Sequence, residues 1–271
     1  MSSFSFNKEN IDKLIEISID AGDSIMGIYE TDFDFKQKED RSPLTEADIL
    51  SNKIITQSLG KLTPNIPILS EESADVPIIN RLNWNEYWLV DPLDGTKEFI
   101  KKNGEFTTNI AFIKNNRPIF GIIHAPAINE TYWGTKDIGA YFLNGDCKSG
   151  TEKIRTNSSH NSKIRIITSR SHPNPRLQTI LDDLDDYELF EAGSSLKFCR
   201  IASGKADCYP RLGPTSEWDT AAGEAILLSA GGYVLTGEGS PLNYNKEEGY
   251  LNPNFIASAD IEMIHNYLSY I

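Results

Sequence analysis

The twelve residues Trp88-Leu-Val-Asp91-Pro92-Leu93-Asp94-Gly95-Thr96-Lys97-Glu98-Phe99 constrain this chain more than any other stretch. An aromatic and aliphatic run from Tyr87 to Val90 predicts a buried strand, and it ends in two carboxylates three positions apart. Proline between them fixes its own φ and removes a backbone donor, so the turn is stiff. Acids directly after a buried strand are costly to bury unless paired or metal-bound. Such a turn can present Asp91, the Leu93 carbonyl and Asp94 to one hard cation, with Gly95 and Thr96 left to face a phosphate.

On either side the chain divides by rhythm. Ile11, Leu14, Ile15, Ala21, Ile25 and Ile28 recur at helical spacing and predict a helix over about 9–30. Asp32 to Asp40 reads as a strand edge or loop. A second helix is expected from Ser42-Pro43-Leu44-Thr45, with a capping-box pattern Thr45-x-x-Asp48. Ile66 to Leu69 is a short apolar run before Ser70-Glu71-Glu72. Thr107–Ile113 and Ile119–His124 form a candidate hairpin, followed by strands at Thr131–Gly134 and Ala140–Leu143. The polar stretch Lys148–Ser162 marks a boundary. Beyond it strands (164–168, 189–192, 206–210, 233–235, 255–258) interleave with helices (175–184, 196–202, 220–230). The expectation is an α+β half over 1–155 and an α/β half over 156–271.

Composition narrows the functional classes. A net charge of −13 over 271 residues disfavours nucleic acid polymers and anionic membranes. A phosphorylated small molecule would also be repelled unless cations and a few basic residues reverse the field. No apolar run approaches the ~18–20 residues of a membrane span, and the N-terminal residues do not read as a signal peptide. Three cysteines, Cys147, Cys199 and Cys208, without CxxC spacing favour a reducing cytoplasm over a disulfide framework. Peripheral contact with the cytoplasmic face of the inner membrane stays open, as does the choice between monomer and homodimer.

Four places carry the acids that matter: Asp48, Glu71-Glu72, Asp91 with Asp94, and Asp219. Hard cations take oxygen ligands and keep several waters, so single carboxylates at element edges are a fitting ligand set. Each also has an ordinary reading. Asp48 is a capping-box partner, Asp219 an N-cap, and Glu71-Glu72 a solvated loop. Other metal and phosphate motifs fail on spacing. There is no Walker loop, the acids are too far apart for Asp-x-Asp-x-Thr, and an EF-hand would need Glu where Lys102 stands.

Ser70-Glu71-Glu72, Asp91-Pro-Leu-Asp-Gly-Thr96 and Trp218-Asp219-Thr-Ala-Ala-Gly223 together resemble the signature set of the inositol monophosphatase superfamily. Trp88 to Ile100, Gly193-Ser-Ser-Leu-Lys-Phe-Cys199, Thr168-Ser-Arg-Ser-His172 and Leu251-Asn-Pro-Asn-Phe255 resemble its CysQ-type 3′(2′),5′-bisphosphate nucleotidase branch. The resemblance implies a layered αβαβα sandwich and two Mg²⁺ ions, with a third of lower occupancy. Glu71, Asp91 and the Leu93 carbonyl would hold the first ion, and Asp91, Asp94 and Asp219 the second. Asp48 would sit near the third, and Thr96 with Asp48 would orient the attacking water, giving Asp48, Thr96 and Glu71 catalytic roles.

The implied substrate is a small nucleotide, adenosine 3′,5′-bisphosphate, cut to AMP and phosphate by metal-activated water. The activated sulfate donor bearing a 3′-phosphate is a second candidate, and lithium inhibition is expected. The substrate contacts carried over are Glu71, Leu93, Asp94, Gly95, Thr96, His172, Ser194, Lys197, Arg211 and Asp219. Inositol monophosphate and fructose 1,6-bisphosphate remain alternatives on the same metals. A catalytically silent magnesium- or nucleotide-binding regulator is disfavoured by the complete acid set.

Overall fold

The computed structural model describes residues 4–32, 35–37, 43–74, 76–145, 150–157, 163–171, 175–182, 184 and 186–267. In chain order the elements begin with helix α1 (Lys8–Tyr29), strands β1 (Phe35–Gln37) and β2 (Pro43–Thr45), and helix α2 (Glu46–Leu62). Next come β3 (Ile68–Ser70), α3 (Ile78–Arg81), β4 (Glu86–Asp94), α4 (Thr96–Ile100) and β5 (Thr107–Lys114). The strands β6 (Arg117–Ala125), β7 (Glu130–Thr135), β8 (Gly139–Asn144), β9 (Glu152–Ile154) and β10 (Ile164–Ser169) follow. The chain closes with α5 (Pro175–Asp182), β11 (Tyr187–Ala192), α6 (Leu196–Ala202), β12 (Cys208–Arg211), α7 (Glu217–Ser229), β13 (Tyr233–Thr236), β14 (Phe255–Ser258) and α8 (Ile261–Tyr267).

Two sheets form the frame. Strands β3 to β9 lie side by side in sequence order, antiparallel except for the β3–β4 pair. The second sheet runs β11-β10-β12-β14-β13, parallel among its first three strands and antiparallel thereafter. A separate ribbon pairs β1 with β2.

Alternation along β4 and β5 explains the layers. Trp88, Val90, Ile110 and Phe112 pack with Ile11, Leu14, Ile55 and Leu59 of α1 and α2. Tyr87, Leu89, Ala111 and Ile113 point the other way, into a cluster with Phe198 of α6 and Ala221, Ala222 and Ile226 of α7. Both faces are covered, which is why β4 reads as a continuous apolar run. The same middle layer reaches Tyr209 and Phe255 of the second sheet. On that sheet's far face Ile166, Cys208 and Ile256 meet Leu177, Ile180 and Leu181 of α5 and Ile264 of α8. The order is therefore helix, sheet, helix, sheet, helix. Phe198 packs on the second sheet through ring contacts to Tyr209 and Phe255, and on α7, where a Cβ at Gly223 would lie 2.5 Å from its ring. Complete burial of such a ring contributes roughly 1.5–3 kcal/mol.

Helix α2 starts at Glu46 with Thr45 as its N-cap and Asp48 closing the capping box, in agreement with the Thr45-x-x-Asp48 pattern, while Pro43–Thr45 pairs as a strand with Phe35–Gln37. Three expectations need correction. The polar boundary contains a strand, Glu152–Ile154, that pairs with β8. Helix α7 starts at Glu217 rather than Thr220, because Ser216 caps it. Asp219 therefore lies inside the first turn and is not the cap residue. Glu71-Glu72 is not a solvated loop but a half-buried 3-10 turn, Glu71–Ser73. Cys199 and Cys208 are buried and unpaired, and Cys147 lies outside the described residues. Among the described residues no helix is long and apolar enough to cross a membrane.

Among the buried titratable groups of the middle layer, Glu224 lies away from the acid cluster. Glu224 of α7 is fully buried and accepts from Arg117 Nη2 at 3.0 Å and the Tyr244 hydroxyl at 2.5 Å. Burial pushes its carboxyl up to about 7, against the attraction of Arg117. A carboxyl raised on folding binds protons more readily in the native state. Its contribution therefore falls as pH climbs from the unfolded value near ~4.3 through about 7. Glu224→Gln removes that dependence. The melting temperature of the variant minus that of the wild type is expected to increase steadily between pH 5 and 8. A flat difference would contradict the assignment.

Candidate metal and phosphate site

A regular strand would place residues three apart on opposite faces. Asp91 and Asp94 share a face because the β4–β5 register shifts between them, with Asp91 opposite Asn109 and Asp94 opposite Thr107. Pro92 cannot donate to the ladder, and this bulge re-aims the second acid. Asp91 has the same parity as Tyr87 and Leu89, so it looks toward α7. There Asp219 completes a cluster in which carboxylate oxygens of Asp91, Asp94 and Asp219 lie within 4.8 Å of one another.

Each acid is oriented by its neighbours. Asp91 Oδ1 accepts from the Leu93 amide at 3.1 Å. Asp94 Oδ2 lies 2.6 Å from the Ser195 hydroxyl and 3.2 Å from Asn109 Nδ2. Asp219 Oδ2 accepts the Ser216 amide at 2.8 Å. Asp48 uses Oδ2 to close the capping box on the Thr45 amide at 2.7 Å, while its Oδ1 lies 3.4 Å from Thr96 Oγ1. Asp48 and Asp219 each close a capping box with Oδ2, and each keeps a second carboxylate oxygen that the box does not use. Thr96 Oγ1 is also 3.3 Å from the Leu93 carbonyl. Gly95, at φ +88°, turns the chain into α4, and a Cβ there would lie 2.0 Å from Ser194 Oγ.

Asp91, Asp94, Gly95, Thr96 and Asp219 line a cleft of about 240 Å³ with Glu71, Ser194, Lys197, Tyr209, Arg211 and Thr215. It adjoins a second cavity of about 580 Å³ that shares Lys97, Ser169, Tyr209, Arg211 and Pro214. The basic residues sit on the second sheet's side. Lys197 Nζ donates to the Ser194 and Ala192 carbonyls at 2.6 and 3.3 Å and lies 5.3 Å from the Tyr209 ring centre. Arg211 donates to the Gly213 and Pro214 carbonyls at 3.1 and 2.6 Å. Ser194, expected to grip substrate, has its hydroxyl 2.8 Å from the carbonyls of both Asp94 and Glu105, so it supports the acid loop. His172 lies outside the described residues.

The acid cluster fits a hard divalent cation. Burial raises the Asp94 carboxyl, opposed by the Ser195 hydroxyl and Lys197. Burial also raises Asp219, with Asp94 and then Glu71 adding to the effect. Oxygen donors that repel one another when bare are the donor set for which a divalent ion supplies the missing charge. Burial likewise pulls the Lys197 ammonium down to about 8, against the attraction of Asp94.

Sequence reasoning missed Asn109, Tyr209 and Thr215. Counting back from the tight turn at Asn115-Asn116 gives only the partner of Asn109 on β6, Ile123; its place opposite Asp91 depends on the separate β4–β5 pairing. Tyr209 and Thr215 become neighbours of the acids only when the second sheet docks.

Alternating helical and sheet layers, with a three-acid cluster where α7 meets the bulged strand, define a layered α/β architecture with a candidate divalent-cation site between its elements. The Inositol monophosphatase family model matches residues 7–269, and the chain belongs to that family. The chain is 42% identical over 248 residues to the 3′(2′),5′-bisphosphate nucleotidase CysQ of Salmonella typhimurium, covering 90% of this chain and 98% of that protein. It is 43% identical over 258 residues to the CysQ of Buchnera aphidicola subsp. Acyrthosiphon pisum, with 93% and 94% covered. The crystal structure of CysQ from Bacteroides thetaiotaomicron superposes with a TM-score of 0.81 at 40% identity over 93% of this chain and 98% of that one. A Thermotoga maritima IMPase shares the fold alone, with a TM-score of 0.77 at 23% identity over 96% and 95% of the two chains. The family is metal-dependent.

Proposed function

We propose that the chain is a magnesium-dependent 3′(2′),5′-bisphosphate nucleotidase that converts adenosine 3′,5′-bisphosphate to AMP and phosphate. The observation that carries this reading is the continuous cleft from the Asp91–Asp94–Asp219 cluster to Lys197 and Arg211. A substrate with two phosphates has a use for both ends. The CysQ relatives support it independently through their printed activity. The same chemistry extends to the activated sulfate donor with a 3′-phosphate. Inositol monophosphate, the runner-up, offers nothing for the basic end.

Glu71, Asp91, the Leu93 carbonyl, Asp94 and Asp219 would hold two magnesium ions, with Asp48 beside a third. Bound there, magnesium supplies Lewis-acid polarisation of the phosphoryl oxygens and lowers the pKa of coordinated water. Thr96, donating to Asp48, keeps a lone pair to accept a hydrogen bond from the attacking water. Asp48 biases the direction of that hydroxyl and takes the proton that the water gives up, relayed through Thr96 Oγ1. The water oxygen bonds to phosphorus, the phosphorus–O3′ bond breaks, and O3′ takes a proton from solvent water to leave as the hydroxyl of AMP. Lys197 and Arg211 hold the phosphate that is not attacked. Residues 1–155 thus carry most of the ion ligands and 156–271 complete the site and bind the nucleotide. No covalent phosphoenzyme is needed, and most of the rate comes from positioning and electrostatics.

The test is phosphate release from adenosine 3′,5′-bisphosphate beside inositol 1-phosphate, with magnesium and with added lithium. The nucleotide should be cut faster, and lithium should inhibit; a preference for the inositol ester would overturn the substrate assignment. Lys197→Met should raise KM for the bisphosphate by roughly 10–100-fold with a smaller change in kcat, because its contact is uniform along the reaction. A fall in kcat alone would place Lys197 at the reacting phosphate instead.

A further inference from the structure

We propose that Glu105 is a positioning residue that holds the second sheet's loop against Asp94 and so tunes magnesium retention. The inference rests on the reading of Asp94 as an ion ligand. Glu105 lies in the connection between α4 and β5, on the side of the seven-stranded sheet, and does not line the cleft. Its carboxylate nevertheless makes three contacts, all across to the other sheet. Oε2 accepts from Arg170 Nε at 2.7 Å and from the Gly193 amide at 2.9 Å, and Oε1 accepts from Arg170 Nη2 at 3.0 Å. Arg170 follows β10 and is itself fixed to the end of β11, through the Glu191 carbonyl at 3.1 Å and the Glu191 carboxylate at 3.2 Å. The clamp therefore gathers the ends of two neighbouring strands onto one side chain.

What it holds is the segment that orients Asp94. A Cβ on Gly193 would lie 2.4 Å from the Glu105 carbonyl, so the two backbones are pressed together there. Ser194 takes a left-handed φ of +49°, unusual for a residue with a Cβ. Its hydroxyl sits 2.8 Å from both the Glu105 and Asp94 carbonyls. One residue further on, the Ser195 hydroxyl reaches Asp94 Oδ2 at 2.6 Å and accepts from Asn109 Nδ2 at 2.9 Å. The path from Arg170 through Glu105 and Gly193–Ser195 to Asp94 is continuous in hydrogen bonds. It crosses from one sheet to the other.

The electrostatics separate geometry from stability. Arg170 and Glu105 are 42% and 24% exposed, and an ion pair so wetted adds little to global stability. A bidentate arginine–carboxylate pair still fixes direction well, because two parallel hydrogen bonds restrict both planes. Partners that orient a metal's ligands typically govern affinity or activity by roughly 10–100-fold when removed. Loss of Glu105 should thus appear in magnesium binding far more than in melting.

The experiment uses the full chain and two readouts, magnesium titration by calorimetry and the magnesium dependence of phosphate release. Glu105→Ala should raise the magnesium concentration at half-saturation by roughly tenfold or more in both, with the metal-free melting temperature nearly unchanged. Glu105→Gln keeps an acceptor for the Gly193 amide while losing the ion pair, and should recover part of the affinity. Asp186→Asn, which alters an exposed pair with Lys163 outside the clamp, should leave magnesium binding as in the wild type. Unchanged magnesium affinity in Glu105→Ala overturns the inference. So does a large fall in melting temperature with activity lost equally at saturating magnesium, since that is a purely structural effect. A wild-type chain that binds no magnesium removes the metal reading itself; one that binds it, with Glu105→Ala indistinguishable, removes this inference alone.

Discussion

Asp94→Asn is expected to reduce magnesium-dependent phosphate release by roughly 10³-fold or more, while the protein stays folded. Asn matches Asp in shape, so the bulge and the α4 turn have no steric reason to change. It replaces a charged oxygen with a neutral amide in the cluster formed with Asp91 and Asp219. The Ser195 hydroxyl, 2.6 Å from Asp94 Oδ2, can give its one proton to either Asp94 or the Asp219 carbonyl at 2.7 Å. The Asn109 amide donates to Asp94 Oδ2 at 3.2 Å and so favours the carbonyl end of the new amide there. That leaves the NH₂ group for the position an ion would occupy. In the metal-free protein the substitution has the opposite sign. Burial raises both Asp94 and Asp219, and Asp94 adds to the rise of Asp219. Neutralising one of them relieves that repulsion. The metal-free variant should therefore melt at or above the metal-free wild type. Magnesium, which stabilises only a state that binds it, should raise the wild-type melting temperature and leave the variant's almost unmoved. Near-wild-type turnover, or an unchanged magnesium shift, would remove Asp94 from the proposed ligand set.

The acids themselves were legible because their chemistry is local. Two carboxylates after Tyr87–Val90 are anomalous in any reading of the sequence, and the alternation of Trp88 with Leu89 identifies a strand covered on both faces. The layer order followed from the resemblance, and the elements agree with it. What stayed hidden depends on non-local register. Asp91 and Asp94 share a face only through the bulge, which requires the pairing with Asn109 and Thr107 to be known. Glu105 and Arg170 look like ordinary surface charges until β10 and β11 bring Arg170 to the α4–β5 connection. Ser194 lines the cleft, but the contacts of its hydroxyl with the Asp94 and Glu105 carbonyls depend on how the second sheet docks and are not legible in its motif. Helix α7 starts at Glu217 rather than Thr220 because Ser216 is the cap residue and Asp219 its capping-box partner, and Ser and Asp suit the cap position equally well in sequence.

Glu217→Ala should be the most destabilising single substitution near the site. Glu217 is fully buried at the first turn of α7, where a negative charge also suits the helix dipole. Its carboxylate accepts the Asn245 amide at 2.8 Å and the Lys246 amide at 3.2 Å, and pairs with Lys246 Nζ at 2.7 Å. Asn245 in turn accepts from the buried Arg81 Nη1 at 2.8 Å, and Arg81 lies 4.7 Å from the Tyr250 ring centre. Tyr250 donates to the Ala74 carbonyl at 2.9 Å, beside the turn that carries Glu71. Truncation leaves two backbone amides without their acceptor and a mostly buried ammonium without its counter-charge. Removing one partner from a buried pair costs about 3–5 kcal/mol. At about 2–4 °C per kcal/mol for a chain of this class, the melting temperature should fall by roughly 6–20 °C. Glu217→Gln keeps one carbonyl acceptor and should lose less. A Glu217→Ala protein that melts within about 2 °C of wild type would show that water replaces the carboxylate freely. The loss should also weaken magnesium binding beyond the stability effect, because the same contacts join the Glu71 turn to the helix that carries Asp219.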